Sequence, residues 1–480
     1  MTRTITLAPV SRLEGHGKVT IHLDDRGEVQ ESRFHVVELR GFEKFCEGRL
    51  MSDMPVITSR ICGICPVSHH LASAKACDDA WGVDIPPSAK KLRELMHMGQ
   101  FIHSHALHFF YLAAPDFVLG PDSDPALRNV VGVIGADPEL GKKAIRLRQI
   151  GQGLIAHVGG RPIHPVTAIP GGMARPLSHD ERFAARREIE EALPLARLGL
   201  TLAKSLLERH GELVARMEPL ATRYMGLVKD DALELYDGKL RLIDAGGDIS
   251  EELDPRRYLD HLGEHVEDWS YMKFPFSKKA GFPEGTYRVG PLARLNVARR
   301  IDTPIAGQEL RAFKELATGA PVHQTLHYHT ARLIELVYAV ERARELLADD
   351  EVVASDVRVK VERKSGMGVG VVEAPRGSLI HHYWVDDDGR IVKVNIIVST
   401  AHNNAAINRS VDQAAREFVR GGEIREGALN RIEMAIRCYD PCLSCATHAW
   451  GQMPLVLEVR APDGSLVASA RNPDQESSVG

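Results

Sequence analysis

The chain has 480 residues, a formal net charge of −5, 44% hydrophobic and 26% charged residues, the profile of a globular protein long enough to bury a sizeable core without disulfides. The mild negative charge gives no electrostatic case for nucleic acid or an anionic membrane. No apolar run reaches the ~20 residues that span a bilayer, and the opening Met1-Thr-Arg-Thr lacks the long apolar stretch of a secretory signal, so a cytoplasmic location is expected.

Residues 1–45 read as a β-meander. Val19, Ile21 and Leu23 alternate with polar residues, Asp25-Arg26-Gly27 turns the chain, and Phe34 and Val36 continue the alternation. Residues 46–225 read as a helical core. Leu92, Leu95, Ile102 and Phe109 recur at helical spacing, and Ser178-His179-Asp180-Glu181 is a capping box for a long helix that Pro194 is expected to kink. Residues 226–300 form an insert with a hairpin near 230–245, turning at Tyr236-Asp237-Gly238.

Residues 301–448 mix helix and strand. Leu326, Leu333, Val337, Val340 and Leu347 predict a helix over 322–348. A hairpin over 378–398 turns at Asp386-Asp387-Asp388-Gly389, and a helical stretch runs from 404 to 438. Residues 449–480 read as an appended hairpin turning at Pro462-Asp463-Gly464, with a polar end from Asn472 to Gly480. The expected class is α+β: a long-helix bundle core with a small N-terminal β-meander and further hairpins.

Four of the seven cysteines form two Cys-x-x-Cys pairs, each followed by a histidine: Cys62 and Cys65 before His69, and Cys442 and Cys445 before His448. Two-residue spacing lets both sulfurs grip one ion, and thiolates suit soft metals: zinc, copper(I), nickel or iron. A structural zinc staple joins knuckles tens of residues apart. Here the pairs are separated by almost the whole chain, which suits a buried centre between two halves. A thioredoxin-like redox pair leaves the second pair unexplained.

These motifs resemble the signature pair of nickel–iron hydrogenase large subunits, Arg-x-Cys-Gly-x-Cys-x-x-x-His and Asp-Pro-Cys-x-x-Cys-x-x-His. Arg12-Leu13-Glu14-Gly15-His16, Arg40-Gly41-Phe42-Glu43 and Ala374-Pro375-Arg376-Gly377 are similar to further motifs of that family. Glu38 to Phe45, Trp269 to Pro275 and Cys442 to His448 are worded most like the soluble NAD-reducing type.

The resemblance implies the nickel–iron hydrogenase large-subunit fold and reversible heterolytic cleavage of H2. It implies nickel on Cys62, Cys65, Cys442 and Cys445, with Cys65 and Cys445 also bridging to an iron that carries carbon monoxide and cyanide. Glu14 would be a proton relay outside the thiolates if burial raised its pKa, and Arg376 would lie over the metal pair as a fixed charge. Ser399 or Thr400 would give a hydroxyl to a second cyanide, and His69 a hydrogen bond to a bridging sulfur. Glu43 and His448 would ligate magnesium. Many family members carry Asp where this chain has Ser104, which puts a carboxylate link to Arg376 from that position in doubt.

The resemblance also implies a maturation endopeptidase cutting between His448 and Ala449, and chaperones that insert nickel and iron. With residues 449–480 attached, the tail is able to hold the second motif away from the first. Cys46, Cys77 and Cys438 read as small hydrophobes, and the chain has neither a cysteine set for an iron–sulfur cluster nor a nucleotide-binding Gly-x-Gly-x-x-Gly. Electrons would therefore leave through a small subunit holding an iron–sulfur cluster, then reach NAD(P) through diaphorase subunits that bind flavin and NAD. His97, His105 and His108, and His323 with His327 on one helix face, read as packing or surface residues. Two other readings are a non-catalytic scaffold of the complex I type and a zinc-stapled structural protein.

Overall fold

Strand β1 (Arg3–Leu7) pairs antiparallel with β2 (Gly17–Leu23), and β2 with β3 (Val29–Val36). Val19, Ile21, Leu23 and Phe34 are wholly enclosed, as period-two alternation requires. The computed structural model describes residues 3–421, 425–448, 456–461 and 465–471.

The chain continues through helices α1 (Pro66–Trp81), α2 (Pro87–Leu107), α3 (Pro138–Gly159) and α4 (His179–Arg209). A sheet containing β4 (Arg223–Lys229), β5 (Lys239–Ile243) and β6 (Ile249–Leu253) follows, then α5 (Pro291–Val297) and α6 (Tyr328–Ala348). Next come the antiparallel strands β7 (Gly366–Ala374), β8 (Gly377–Val385) and β9 (Ile391–Ile397), and helices α7 (Asn404–Phe418) and α8 (Glu426–Cys438). Strands β10 (Val456–Arg460) and β11 (Leu466–Arg471) form a separate pair. The tail's expected turn at 462–464 and its polar end 472–480 lie outside the described residues.

Helices α2 and α4 each pack against both α3 and α6, closing a four-helix ring. The expected helical core with satellite sheets is therefore the architecture. The capping box is formed: the Ser178 hydroxyl accepts from the Glu181 amide, and Glu181 accepts from the Ser178 amide. Helix α4 runs unbroken from His179 to Arg209 with Pro194 inside it.

Helix α1 buries nearly every side chain because it lies directly on β7. A Cβ on Gly370 would sit 1.9 Å from the Ala72 carbonyl oxygen, and one on Gly368 2.1 Å from that of Ala76. The Gly366-Met-Gly-Val-Gly run is what admits a helix at that distance. It brings the first cysteine motif, at the start of α1, close to the β7–β8 turn that carries Arg376.

The structure departs from the expected elements in three places. The hairpin near 230 reverses at Asp230-Asp231, both at positive φ (49° and 65°), rather than at Tyr236-Asp237-Gly238, which bends the chain into β5. The stretch 404–438 is two helices, because Gly421 takes a left-handed conformation (φ 62°) beyond α7. His323 and His327 do not share a helix face, since the helix begins at Tyr328; His323 stacks on Tyr224 and bonds its hydroxyl at 2.7 Å.

Candidate metal centre

Cys65 is the residue before α1, with Pro66 at the first helical position, where a missing amide hydrogen costs nothing. Cys62 lies in the turn before it and accepts the Ile64 and Cys65 amides at 3.2 and 3.3 Å. The second motif leaves the end of α8 through Asp440, a non-glycine residue at φ 52°, and then Pro441. The chain around Glu14 pairs with it: the Leu443 amide donates to the Glu14 carbonyl at 3.1 Å.

These turns bring all four sulfurs together. Cys62 and Cys442 are 3.4 Å apart, Cys65 and Cys445 3.7 Å, Cys442 and Cys445 2.8 Å, and all four Sγ atoms lie within 4.8 Å of one another. All are buried and none is in a disulfide. The two motifs therefore meet in the chain that carries residues 449–480. Hydrogen bonds with the Cys442, Cys445 and Cys62 sulfurs, with a smaller contribution from His69, hold the Cys65 thiol well below its ordinary pKa. Burial pushes Cys442 and Cys445 well up. Further thiolates are thus disfavoured without a compensating cation, and a soft metal ion supplies that charge. The donor set fits such an ion.

Arg376 sits at the β7–β8 turn. Its Nε donates to the Asp440 carbonyl at 2.6 Å and its Nη2 to the Asp440 carboxylate at 3.0 Å, while Nη1 is buried without a protein partner. The Asp440 carboxylate, followed by the neighbouring cysteine sulfurs, holds the guanidinium charged despite complete burial. Ser104 is buried with its hydroxyl unpartnered, so the carboxylate that fixes Arg376 is Asp440, which sequence reasoning missed. Ser399 donates to the Gly377 carbonyl at 2.7 Å. Thr400 accepts the Cys442 amide at 2.9 Å, leaving its own hydroxyl proton free to donate.

Glu14 accepts the Ser444 amide at 3.1 Å and the Ser444 hydroxyl. Arg40 spans both motifs, donating to the carbonyls of Ile61 and Ser444. Glu43 accepts the Ile396 amide at 2.8 Å, and burial pushes its carboxyl up to about 7. His448 is buried with both ring nitrogens unpartnered, and its backbone carbonyl accepts the Glu43 amide. A carboxylate and an orphaned imidazole on adjoining backbone fit a second cation. His69 also reaches inward, 3.1 Å from His381, which bonds Tyr383 at 2.6 Å. Ala449 lies outside the described residues.

A buried ionic cluster, also missed, fixes the Glu14 segment. Asp116 takes both Arg12 and Arg437, Arg437 reaches the Ser11 carbonyl at 3.1 Å, and Glu433 accepts the Ser11 amide and hydroxyl at 2.8 Å each. Arg12 also caps the Leu112 carbonyl, in the π-helical turn His108–Ala113 that follows α2. Asp116→Ala leaves two guanidinium groups without their shared carboxylate. It should cost about 3–5 kcal/mol in denaturant unfolding; a loss under 1 kcal/mol contradicts this role.

Cys46, Cys77 and Cys438, and His97, His105 and His108, are internal. Cys46 and Cys438 are pushed up to about 12 by burial, and Cys77 donates to the Met51 carbonyl. His97 and His108 bond the carbonyls of Glu373 and Arg437, and His105 bonds Glu335.

Four convergent buried thiols beside a buried arginine, drawn from the two ends of a long-helix fold, define a soft-metal site. The nickel-dependent hydrogenase family matches residues 40–128 and 244–448, and a HoxL-like family matches residues 4–39. A chain of the vhu F420-non-reducing hydrogenase of Methanococcus voltae is 52% identical over 86% of this chain and 98% of its own. The NAD-reducing hydrogenase HoxS subunit beta of Cupriavidus necator is 44% identical over 97% and 99%. The fold superimposes on an NAD+-reducing [NiFe]-hydrogenase in the H2-reduced state with a TM-score of 0.91 at 48% identity, over 93% of this chain and all of that one. The Ni-Fe-Se hydrogenase of D. vulgaris Hildenborough, at 23% identity and TM-score 0.75, shares the fold. The chain belongs to the nickel-dependent hydrogenase family; it is the large subunit of such a hydrogenase, an oxidoreductase. Among the described residues, no helix is long and apolar enough to cross a membrane.

Proposed function

We propose that this chain cleaves H2 heterolytically at a nickel–iron centre held by Cys62, Cys65, Cys442 and Cys445, with Cys65 and Cys445 shared between the two metals. The convergence of the four sulfurs carries the proposal. When bound, the centre supplies a Lewis acid that polarises H2 and accepts its electrons. The chain's own residues do the rest. Glu14 takes protons outward from the thiolates. Arg376 holds a fixed, buried positive charge, and its free Nη1 would be available to a cyanide on iron. Thr400 offers its free hydroxyl proton to a second cyanide, a role closed to Ser399 because its proton is donated to the Gly377 carbonyl, and His69 helps to hold the Cys65 thiol ionised. Glu43 and His448 hold magnesium.

Nickel and iron analysis with infrared spectroscopy tests this. We expect one nickel and iron in active protein, with bands from carbon monoxide and cyanide. One zinc and no iron would favour the structural-staple reading instead.

The centre lies just below the surface. Arg60 and Gly63 beside Cys62 are exposed, and nothing lies within 4 Å of where a Gly63 Cβ would be. That edge suits a small subunit whose iron–sulfur cluster takes the electrons. NAD(P) is the proposed final acceptor, through flavin-binding diaphorase subunits in the cytoplasm, on the likeness to the two NAD-reducing enzymes. Other relatives are F420-non-reducing, so the discriminating assay is H2-dependent NAD reduction by the complex as purified from its native cells. A complex that oxidises H2 with an artificial acceptor but leaves NAD untouched excludes this acceptor.

The family match ends at His448, which supports removal of residues 449–480 by an endopeptidase after chaperones load the metals. Mass spectrometry of active material should find His448 at the C-terminus; active protein that retains the tail refutes processing.

A further inference from the structure

Arg294, on α5, faces the back of the turn that carries Arg376. Its Nη1 donates to the Ala374 carbonyl at 2.9 Å and its Nη2 to the Pro375 carbonyl at 3.1 Å. The next carbonyl, that of Arg376 itself, lies against Gly290 at the start of the same helix. Gly290 is at φ 90°, and a Cβ there would come within 2.7 Å of that oxygen. Three successive carbonyls of the turn are therefore moulded by one short helix.

The guanidinium is itself fixed by two carboxylates. Glu335 of α6 takes Nε and Nη2 at 2.6 Å each, and Glu373 of β7 takes Nη1 at 2.8 Å. Glu335 is bonded in turn by His105 of α2 at 3.0 Å, and Glu373 by the Ser378 hydroxyl at 2.7 Å and the Leu227 amide at 3.0 Å. The side chains of Arg294, Glu335 and Glu373 are all 0% exposed, and Arg294 stacks over Phe101 of α2. Such a buried ion cluster contributes little net stability compared with apolar packing. What the rigid fork supplies is position: five N–H donors in one plane fix the helix ring and the turn at once.

We propose that Arg294, clamped by Glu335 and Glu373, is a positioning residue for Arg376, setting where the free Nη1 points over the metal centre. This rests on the nickel–iron reading for its spectroscopic consequence, though not for its kinetic one. Lysine at 294 keeps the charge but reaches only one carbonyl, whereas methionine would strand two buried carboxylates and risk misfolding. Arg294→Lys is therefore the test, made in the assembled enzyme.

Nickel and iron content should stay at wild-type level. Turnover should fall about ten- to a hundredfold with KM for H2 changed less than about twofold. The cyanide bands should shift, and amide exchange across residues 374–377 should quicken. In an Arg376→Lys background the same substitution should cost almost nothing more, because its route of action is already gone. An equal fractional loss in both backgrounds would overturn the proposal, as would unchanged turnover and exchange in the single variant. Wild-type enzyme without cyanide bands would instead count against the nickel–iron reading, and the paired kinetics would still decide the role of Arg294.

Discussion

Cys65→Ser should give a folded chain that carries neither nickel nor iron and turns over H2 at less than about a thousandth of the wild-type rate. The two side chains are nearly the same size, and serine is a good residue at a helix start, where Cys65 precedes α1. Folding therefore has little reason to change. The chemistry changes completely: a thiol held well below its ordinary pKa becomes an alcohol that stays protonated at any working pH, and a soft ligand becomes a hard one. His69 also loses the thiol that it helps to hold ionised. The control is Cys77→Ser, buried in the same core and donating to the Met51 carbonyl at 3.3 Å, a bond that serine can reproduce. That variant should keep its metals and its turnover. Metal content by mass spectrometry and circular dichroism on both proteins separate loss of a ligand from loss of fold. Normal hydrogen uptake by Cys65→Ser would end the assignment of this sulfur.

What could be read from the sequence was local. The two cysteine pairs, the alternation of β2 and β3, the capping box at Ser178 and the turn at Asp386 to Gly389 each depend on residues a few positions apart, where spacing dictates geometry. The four sulfurs were nameable for this reason, although their meeting joins residues 380 apart in the chain. Pairings with no local pattern were invisible. Arg376 with Asp440, Arg12 with Asp116 and Arg437, and Arg294 with Glu335 and Glu373 are all between single charged residues on different elements. One non-local contact does leave a cue in the sequence. Glycines at alternate positions of a strand, as at 366, 368 and 370, signal a close backbone neighbour, and here that neighbour is the helix opening at Cys65. The displaced turn at Asp230-Asp231 is a different case: aspartate tolerates the left-handed region, but the nearby Tyr236-Asp237-Gly238 carries the stronger local turn signal.

Glu14→Gln separates proton transfer from architecture at the same centre. Two features of Glu14 are structural: its carbonyl accepts the Leu443 amide, and its carboxylate accepts the Ser444 amide and hydroxyl. A glutamine keeps the first unchanged. It also keeps most of the second, because its carbonyl oxygen can take the Ser444 amide while its amide donates to a reoriented Ser444 hydroxyl. The second cysteine motif should thus stay in place, with nickel, iron and unfolding midpoint as in wild type. Only the ability to accept and release a proton is gone. A positioned acid–base group contributes about 10²–10⁴-fold, so turnover in both directions should fall by that factor. Glu14→Asp, which keeps the proton site but draws it back by one methylene, should fall less. If Glu14 were purely an anchor for the Cys442–Cys445 turn, the order would reverse: Gln would be tolerated, Asp would lose the Ser444 contacts, and the damage would show in metal content before it showed in rate. The relay reading requires rate to be lost while the metals remain.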